Sequence, residues 1–587
     1  MRPYFLLSAI LFFTMACGSK KKVIRATSPA DKVAVKSVGS YYEVFPSHLQ
    51  YDRPSLPENF HYRRLPNGLE VLVIENHAVP LVTVEIAVHN GSFTEDSTLD
   101  GLSHLYEHMF FKANRDYPNQ ESFMQRVKEL GIVFNGTTSN ERVNYFFTMP
   151  SRNVKEGLEF MRSAILGPLF LEEEMRKENV VVAGEFQRNE SSPFFHLNFR
   201  LRQYLWQNNF TRKNPIGNYD VILNATPEIM RKIQHRYYYP NNSILVVAGD
   251  VKPDEIFQWA EELFGGWKSS EFDIFRKYPV PRFKPVPHNI TFIETRQEAR
   301  VPIYQQAYHG PSTLEDIKAT YAADVFSYIL GQKGSKFQKN LVDSGYALQA
   351  NISYYTQRFV GPITIMMVPN PQRINEAILK LWEEIQKFDD PDYITDAQIE
   401  RAKRMLVIEE KYGRERTTQL IHTVTFWWAS ASLDYFTSYP DEIQKVTRQD
   451  IVNYVRKYII GNHYVGGLLV PSTIRSAIDS VRVIRDLKYI HQYRVEVPQG
   501  EKFDPKSYKD LVGDLLFILR LNPGYGIGVR AEGPEADNIG KVLLEALRKE
   551  RESFGLPNAM FALDARSSKG PITVLTFELI PIPQTTK

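Results

Sequence analysis

The sequence predicts an α+β protein: two homologous α/β domains followed by a small α+β module. Three observations lead there. The chain has 587 residues, too many for a single hydrophobic core. Alternating apolar stretches of strand period are interleaved with segments of helical period. A pattern also recurs: Thr226, Arg236-Tyr237 and Asn241, followed by the apolar run Ile244–Ala248, return as Thr447, Lys457-Tyr458 and Asn462, followed by Val465–Val470. The Thr-to-Asn spacing is the same in both copies (241 − 226 and 462 − 447), which is what two copies of one domain leave behind.

The elements follow in order. Residues 1–16 hold one Arg and then an apolar run from Tyr4 to Ala16, too short to cross a bilayer and shaped like a secretory signal. Thr14-Met15-Ala16-Cys17 resembles the lipobox of bacterial lipoproteins, with Thr14 where leucine is usual. The resemblance implies that Cys17, the one cysteine in the chain, is acylated and anchors the protein to the bacterial envelope. Gly18 after it points to the outer membrane. A plain signal peptide is the alternative. Residues 17–58 lack a sustained period and read as a flexible tether, with a reach on the order of 35 Å.

The first domain is placed at 59–272. Gly68–Ile74 and Leu81–Val88 alternate as strands, helical patterns cover about 101–112, 121–130, 154–166 and 172–190, and Tyr145–Met149 is a further strand. Pro279, Pro281, Pro285 and Pro287 mark a linker at 273–290. The second domain occupies 291–489. In the remaining unit, 490–587, Asp514–Leu519, Tyr525–Arg530, Ala559–Asp564 and Ile572–Leu579 read as strands around a helix at about 535–552. Its outline is similar to OmpA-type peptidoglycan-binding domains, without their acid and arginine anchors; a packing or dimerisation appendage is the other reading.

Charge narrows the function. The 71 basic side chains barely exceed the 68 acidic ones, for a net +3. Nucleic-acid binding would call for a clear basic excess.

The chemistry concentrates in Gly101-Leu-Ser-His104-Leu-Tyr-Glu107-His108-Met-Phe-Phe-Lys112. On a helix, His104 and His108 lie four apart on one face and can reach a single ion. Glu107 sits beside that face, where a base for an attacking water belongs. Catalytic zinc takes two such histidines and a carboxylate. From the 13 histidines of the chain, H-x-x-E-H is expected by chance only about 0.02 times. The third ligand is left open: the stretch Glu172–Glu185 holds several carboxylates, of which Glu178 and Glu185, two helical turns apart, share a face.

This arrangement resembles the pitrilysin, or M16, family of zinc peptidases, in which the third ligand follows the second histidine at about the interval from His108 to Glu185 (185 − 108 = 77). The resemblance extends over roughly 60–490 and includes Phe134–Glu141, Tyr239–Asn242 and Val246–Asp250. It implies two M16-type α/β sandwich domains in a clamshell and one Zn2+ per chain held by His104, His108 and Glu185. It also makes Glu107 the base, assigns Glu178 to orienting a ligand, and lays a peptide substrate as an added strand near Asn135. In such proteins one domain is active and the other degenerate. In the second copy, Val325, Tyr328 and Ile329 fall near the places of His104, Glu107 and His108. A family segment resembling L-R-E-x-G-L-A-Y reads Leu341-Val342-Asp343-Ser344-Gly345-Tyr346-Ala347-Leu348 here. Without its Arg and Tyr, the chain is expected to work as a hetero- or homodimer with an M16-like subunit. A catalytically weak scaffold or peptide-binding subunit is the alternative.

Overall fold

The computed structural model describes residues 40–44, 56–287, 289–472, 495–505, 511–521 and 525–581; Cys17 and the signal segment lie outside them. Strands β1 (Phe60–Arg64), β2 (Glu70–Glu75), β3 (Leu81–Val88), β4 (Val133–Thr138), β5 (Val143–Pro150) and β6 (Ser243–Gly249) form one sheet, in the order β1-β2-β6-β3-β5-β4. Strands β7 (Ile290–Arg296), β8 (Ile303–His309), β9 (Ala347–Tyr354), β10 (Pro362–Pro369) and β11 (Val465–Pro471) form a second, in the order β7-β11-β8-β10-β9. The second order repeats the first without its edge strand β1. Even the single parallel pair recurs: β2 with β6, and β7 with β11.

Between the strands of the first half run α1 (Leu102–Phe110), α2 (Gln120–Leu130), α3 (Val154–Leu166), α4 (Glu172–Glu190) and α5 (Pro193–Trp206). The second half carries α6 (Ile317–Gly331), α7 (Asp396–Gly413) and α8 (Thr417–Ser430). The pair α7 and α8 repeats α4 and α5 at a constant displacement (396 − 172 and 417 − 193, both 224).

The repeated pair interlocks the halves. Strand residues alternate faces, so Val71, Val73, Val84, Ile86, Leu245 and Val247 pack on the first half's own helices. The opposite face, including Leu72, Ile74, Ala87, Ile244, Val246 and Ala248, is covered by Leu420, Ile421, Val424 and Trp428 of α8. Reciprocally, Leu197 and Leu201 of α5 join a core that contains Phe292, Ala307, Val465 and Leu469 of the second sheet. The central strands of each sheet are thereby covered on both faces, which is why β6 and β11 are buried along their whole length and read as unbroken apolar runs.

Three expectations are corrected. The tether does not stay free through residue 58: Tyr42 and Val44 are buried in the first core, Tyr41 bridges Pro281, and the Tyr42 amide donates to the Val280 carbonyl at 2.9 Å. The segment 273–290 is no solvated linker, because Ile274, Phe275, Val280, Phe283 and Val286 are buried and receive that N-terminal strip. Its four prolines follow the short helix Ile274–Lys277 without making the segment polar. In the C-terminal unit, Asp514–Leu519 lies inside a helix, Leu511–Leu521. A short continuous apolar run does not distinguish strand from buried helix, and the helix won because the sheet is completed elsewhere. That sheet consists of β12 (Val495–Pro498), β13 (Tyr525–Gly533), β14 (Phe561–Ser567) and β15 (Ile572–Pro581), in the order β12-β15-β13-β14, with its own core.

Ile421→Ala removes a fully buried side chain from the second half and opens a cavity against the first. It should cost about 2–5 kcal/mol and lower amide protection in both large sheets when followed by hydrogen exchange. Protection lost from the second sheet alone would show that the halves open independently.

Candidate metal centre

Helix α1 starts at Gly101, which has φ +94° and passes so close to Gly217 that a Cβ would lie 2.6 Å from its Cα. Neither the conformation nor the spacing admits a side chain. The N-cap residue supplies no side-chain acceptor. Instead the buried Glu95 reaches in from the preceding loop, its Oε2 accepting from the Gly101 amide at 2.8 Å and its Oε1 from the Ser103 amide at 2.7 Å. Burial pushes this carboxyl up to about 8 against those donors.

One turn on, α1 presents His104 and His108 to α4. Both Nε2 atoms stand 3.8 Å from the same oxygen, Oε2 of Glu185. One ligand atom from each of the three residues lies within 4.8 Å of the others, the one such group among the described residues. Ligand atoms about 2.0–2.2 Å from a tetrahedral ion sit somewhat closer than this, so modest closure completes the site. The donor set also fits a divalent ion chemically. His108 Nδ1 donates to Glu178 Oε1 at 2.8 Å, which leaves Nε2 with its lone pair toward the centre. Glu178 in turn accepts a 2.6 Å ion pair from Lys112. His104 Nδ1 is buried without a hydrogen-bond partner.

The electrostatics agree with this geometry. Burial, with a smaller contribution from His108, lowers His104 to about 3, so it is a neutral donor. Burial also opposes a charge on His108, but its bond to Glu178 and the nearby carboxylates outweigh it and raise the ring above its ordinary value. Glu178 is likewise opposed by burial, yet His108 and Lys112 hold it below the ordinary carboxylate range. Glu107 is 7% exposed; burial pushes it up to about 7, and a hydrogen bond from Thr138 works the other way. Among the described residues, no lysine or arginine pairs with Glu107 or Glu185.

The structure therefore brings together His104, Glu107, His108, Glu178 and Glu185. Asn135 lies on β4, the strand at the open edge of the first sheet. Tyr346 stays within its own half, its ring 3.9 Å beneath the Arg373 guanidinium, and Leu348 is 61% exposed on β9. In the second half, Val325 and Ile329 are buried in the core. Tyr328 differs from expectation. Burial and the nearby Glu409 carboxylate raise its phenol above the ordinary range, and Glu409 stands as far into α7 as Glu185 stands into α4 (409 − 396 and 185 − 172, both 13). This sets Tyr328 opposite Glu409 as His104 is set opposite Glu185, not at the place of Glu107.

Sequence reasoning passed over three residues. Lys112 follows His108 by four and could have been found from helix spacing. Glu95 lies too far ahead of α1 for any capping pattern. Thr138 reaches Glu107 of α1 from the end of β4, with no local signal.

Two family models match in succession. Residues 70–217 match "Insulinase (Peptidase family M16)" and residues 224–406 match "Peptidase M16 inactive domain". The chain belongs to peptidase family M16. It is 24% identical over 404 residues to a Helicobacter pylori protein named zinc protease PqqE, spanning 67% of this chain and 89% of that one. Against the insulin-degrading enzyme homolog of Dictyostelium discoideum, identity is 24% over 356 residues, spanning 58% of this chain and 36% of that protein. The crystal structure of the periplasmic protease PqqL from Escherichia coli shares the fold, with a TM-score of 0.58 and 17% identity, over 72% of this chain and 49% of that one. The chain thus spans nearly all of the Helicobacter relative but half or less of the larger ones. These names support a peptidase-type function with zinc as the metal.

Replacing Glu95 by Gln turns an amide toward a backbone N–H. A buried donor left unmet costs about 1–3 kcal/mol, and urea denaturation of this M16 protein should register a loss of that size. No change in midpoint would mean that Glu95 is not the cap that holds α1.

Proposed function

We propose that this M16 member is a zinc-dependent endopeptidase acting on peptides or unfolded polypeptides. The observation that carries the reading is the convergence of His104, His108 and Glu185 on one point, with Glu107 beside them unclaimed by any cation. The three would hold one zinc ion through two imidazole nitrogens and a carboxylate oxygen. When bound, the ion supplies Lewis acidity that polarises the scissile carbonyl and acidifies water. Glu107 takes the proton of the attacking water and delivers it to the departing amide nitrogen. Glu178, held by Lys112, keeps the His108 ring in the tautomer and orientation that leave Nε2 free. The outer edge of β4 offers unpaired backbone groups on which an extended peptide would add as a strand, with Asn135 among its first contacts.

A second M16-like unit, in another chain or a second copy, would complete the chamber. The half-length match to the larger relatives supports this, as do Val342 and Leu348 where donors to the substrate would otherwise stand. Those two residues equally favour a second reading, a weakly catalytic peptide-holding subunit.

The decisive measurements are metal content and cleavage. The purified protein should carry about one zinc per chain. His108→Ala should lose it, and Glu107→Gln should keep it while cleavage of an unfolded polypeptide stops. Full zinc occupancy after changing both His104 and His108 to Ala would remove the site assignment. Slow turnover that rises on association with a second unit supports the two-unit chamber; full turnover by a monomer of verified mass refutes it.

An envelope location is proposed on two grounds: the similar Escherichia coli protein PqqL is a periplasmic protease by name, and Cys17 stands in a lipobox-like setting. Among the described residues no helix is long and apolar enough to cross a membrane. Cys17→Ser should abolish lipid labelling and release the protein from membranes. A wild-type chain processed without any lipid would dispose of the anchor.

A further inference from the structure

The turn between β4 and β5 touches both the base and the other half of the molecule. Thr138 ends β4, and its hydroxyl donates to Glu107 Oε2 at 2.7 Å; it is the one hydrogen bond to that carboxylate among the described residues. The next positions carry three polar residues, Asn140, Glu141 and Arg142, each less than 10% exposed. All three bind the second half. Glu141 accepts from the backbone amides of Arg358 at 2.7 Å and Phe359 at 3.1 Å. Asn140 Oδ1 accepts from Gln357 Nε2 at 3.0 Å. Arg142 donates to the His422 carbonyl at 2.6 Å and the Thr425 hydroxyl at 2.7 Å.

Residues 355–361 form the turn between β9 and β10, the counterpart of the β4–β5 turn in the second sheet. Lys213 of the first half, 1% exposed, binds the same turn through Gln357 and, at 2.6 Å, through the Val360 carbonyl. The two equivalent hairpin turns therefore hold one another through buried charges and amides. Such a network is rigid to the extent that its members are satisfied; among the described residues Arg142 Nε is buried without a partner, while the other groups named here are bonded.

We infer that Thr138 is a positioning residue for Glu107, and that the second half serves the reaction by locking the turn that carries Thr138. This rests on the peptidase reading above. Glu107 lies on a helix whose other contacts orient the histidines, so the direction of its carboxylate depends on what meets it from β4. A threonine at the end of an edge strand would otherwise move with the turn. The buried bridge from Asn140, Glu141 and Arg142 to residues 357–359, 422 and 425 removes that freedom. A half without metal ligands thereby acts on the base without touching substrate.

The test uses the full chain with zinc measured in every sample, comparing wild type, Thr138→Val, Thr138→Ser and Glu141→Gln. Thr138→Val keeps the shape and removes the donor. It should lower kcat about 10–100-fold, the usual effect of losing such a support. Zinc content, KM and the affinity of the metal-free protein for a fluorescent peptide should not change. Thr138→Ser should recover most of the rate. Glu141→Gln should lower kcat in the same direction with zinc retained. Wild-type kcat in Thr138→Val, or equal losses in Thr138→Val and Thr138→Ser, would overturn the role of Thr138. Unchanged kcat in Glu141→Gln would overturn the role of the second half. An inactive zinc-loaded wild type removes the peptidase reading and this inference together, whereas an active wild type beside an active Thr138→Val removes this one alone.

Discussion

Each of the two large sheets has one face that its own half leaves bare, and the helix that dries it comes from the other half. Helix α8 lies on β3 and β6 with Ile421, Val424 and Trp428, and α5 lies on the second sheet with Leu197 and Leu201. Burying a large aliphatic side chain contributes about 1.5–3 kcal/mol, so neither half can release the other's helix without exposing several such residues. Polar groups follow the same path across the interface. The fully buried Glu85 on β3 receives Asn144 from its own sheet and Thr425 and His422 from α8. Trp428 donates to Glu70 at 3.0 Å, and Arg358, anchored within its own half on the carbonyls of Trp428, Ala429 and Ala431, reaches the Val44 carbonyl of the N-terminal strip at 3.4 Å.

The candidate metal centre inherits its geometry from this arrangement. Helix α4 leads directly into α5, so the register that presents Glu178 and Glu185 to α1 is tied to the helix that crosses to the other half. From the other side, β4 carries Thr138 to Glu107, and the turn after it is held by residues 357–359. Three carboxylates and two imidazoles then share a small volume with Lys112, the one lysine or arginine paired to them among the described residues. With Glu178 engaged by Lys112 and His108, the Glu185 carboxylate and the two imidazole nitrogens facing it are a donor set that suits a divalent cation.

The second half keeps the scaffold and lacks the ligands. Tyr328 and Glu409 stand at places that correspond to His104 and Glu185 by the helix displacement of 224, so a phenol takes the place of an imidazole there. The exchange of helices does not require a metal in either half, so ligands can be absent from one copy while the interlock persists.

Much of this was readable in the sequence, for a physical reason. Helical and strand periods are local, so α1 to α4 and strands β2, β3 and β5 follow from spacing, while the edge strands β1 and β4 do not; the Thr-to-Asn repeat announces two copies of a domain. The spacing of His104, Glu107 and His108 on one helix implies a metal and a base before any fold is known. Spacing alone could not choose Glu185 over the other glutamates of α4; that needed the family resemblance, and the structure then placed its Oε2 equidistant from both imidazoles. What only the tertiary structure decided involves partners far apart along the chain. Nothing near Thr138 says that it meets Glu107, nothing near Glu141 says that it binds residues 358 and 359, and nothing near Tyr42 says that it packs beside Phe283 and Phe359. Asp514–Leu519 shows the same limit at short range: an apolar run fits a strand or a buried helix, and the packing around it made the choice. Period and composition specify which face of an element must be buried, but the partner that buries it is set by the order in which strands join a sheet.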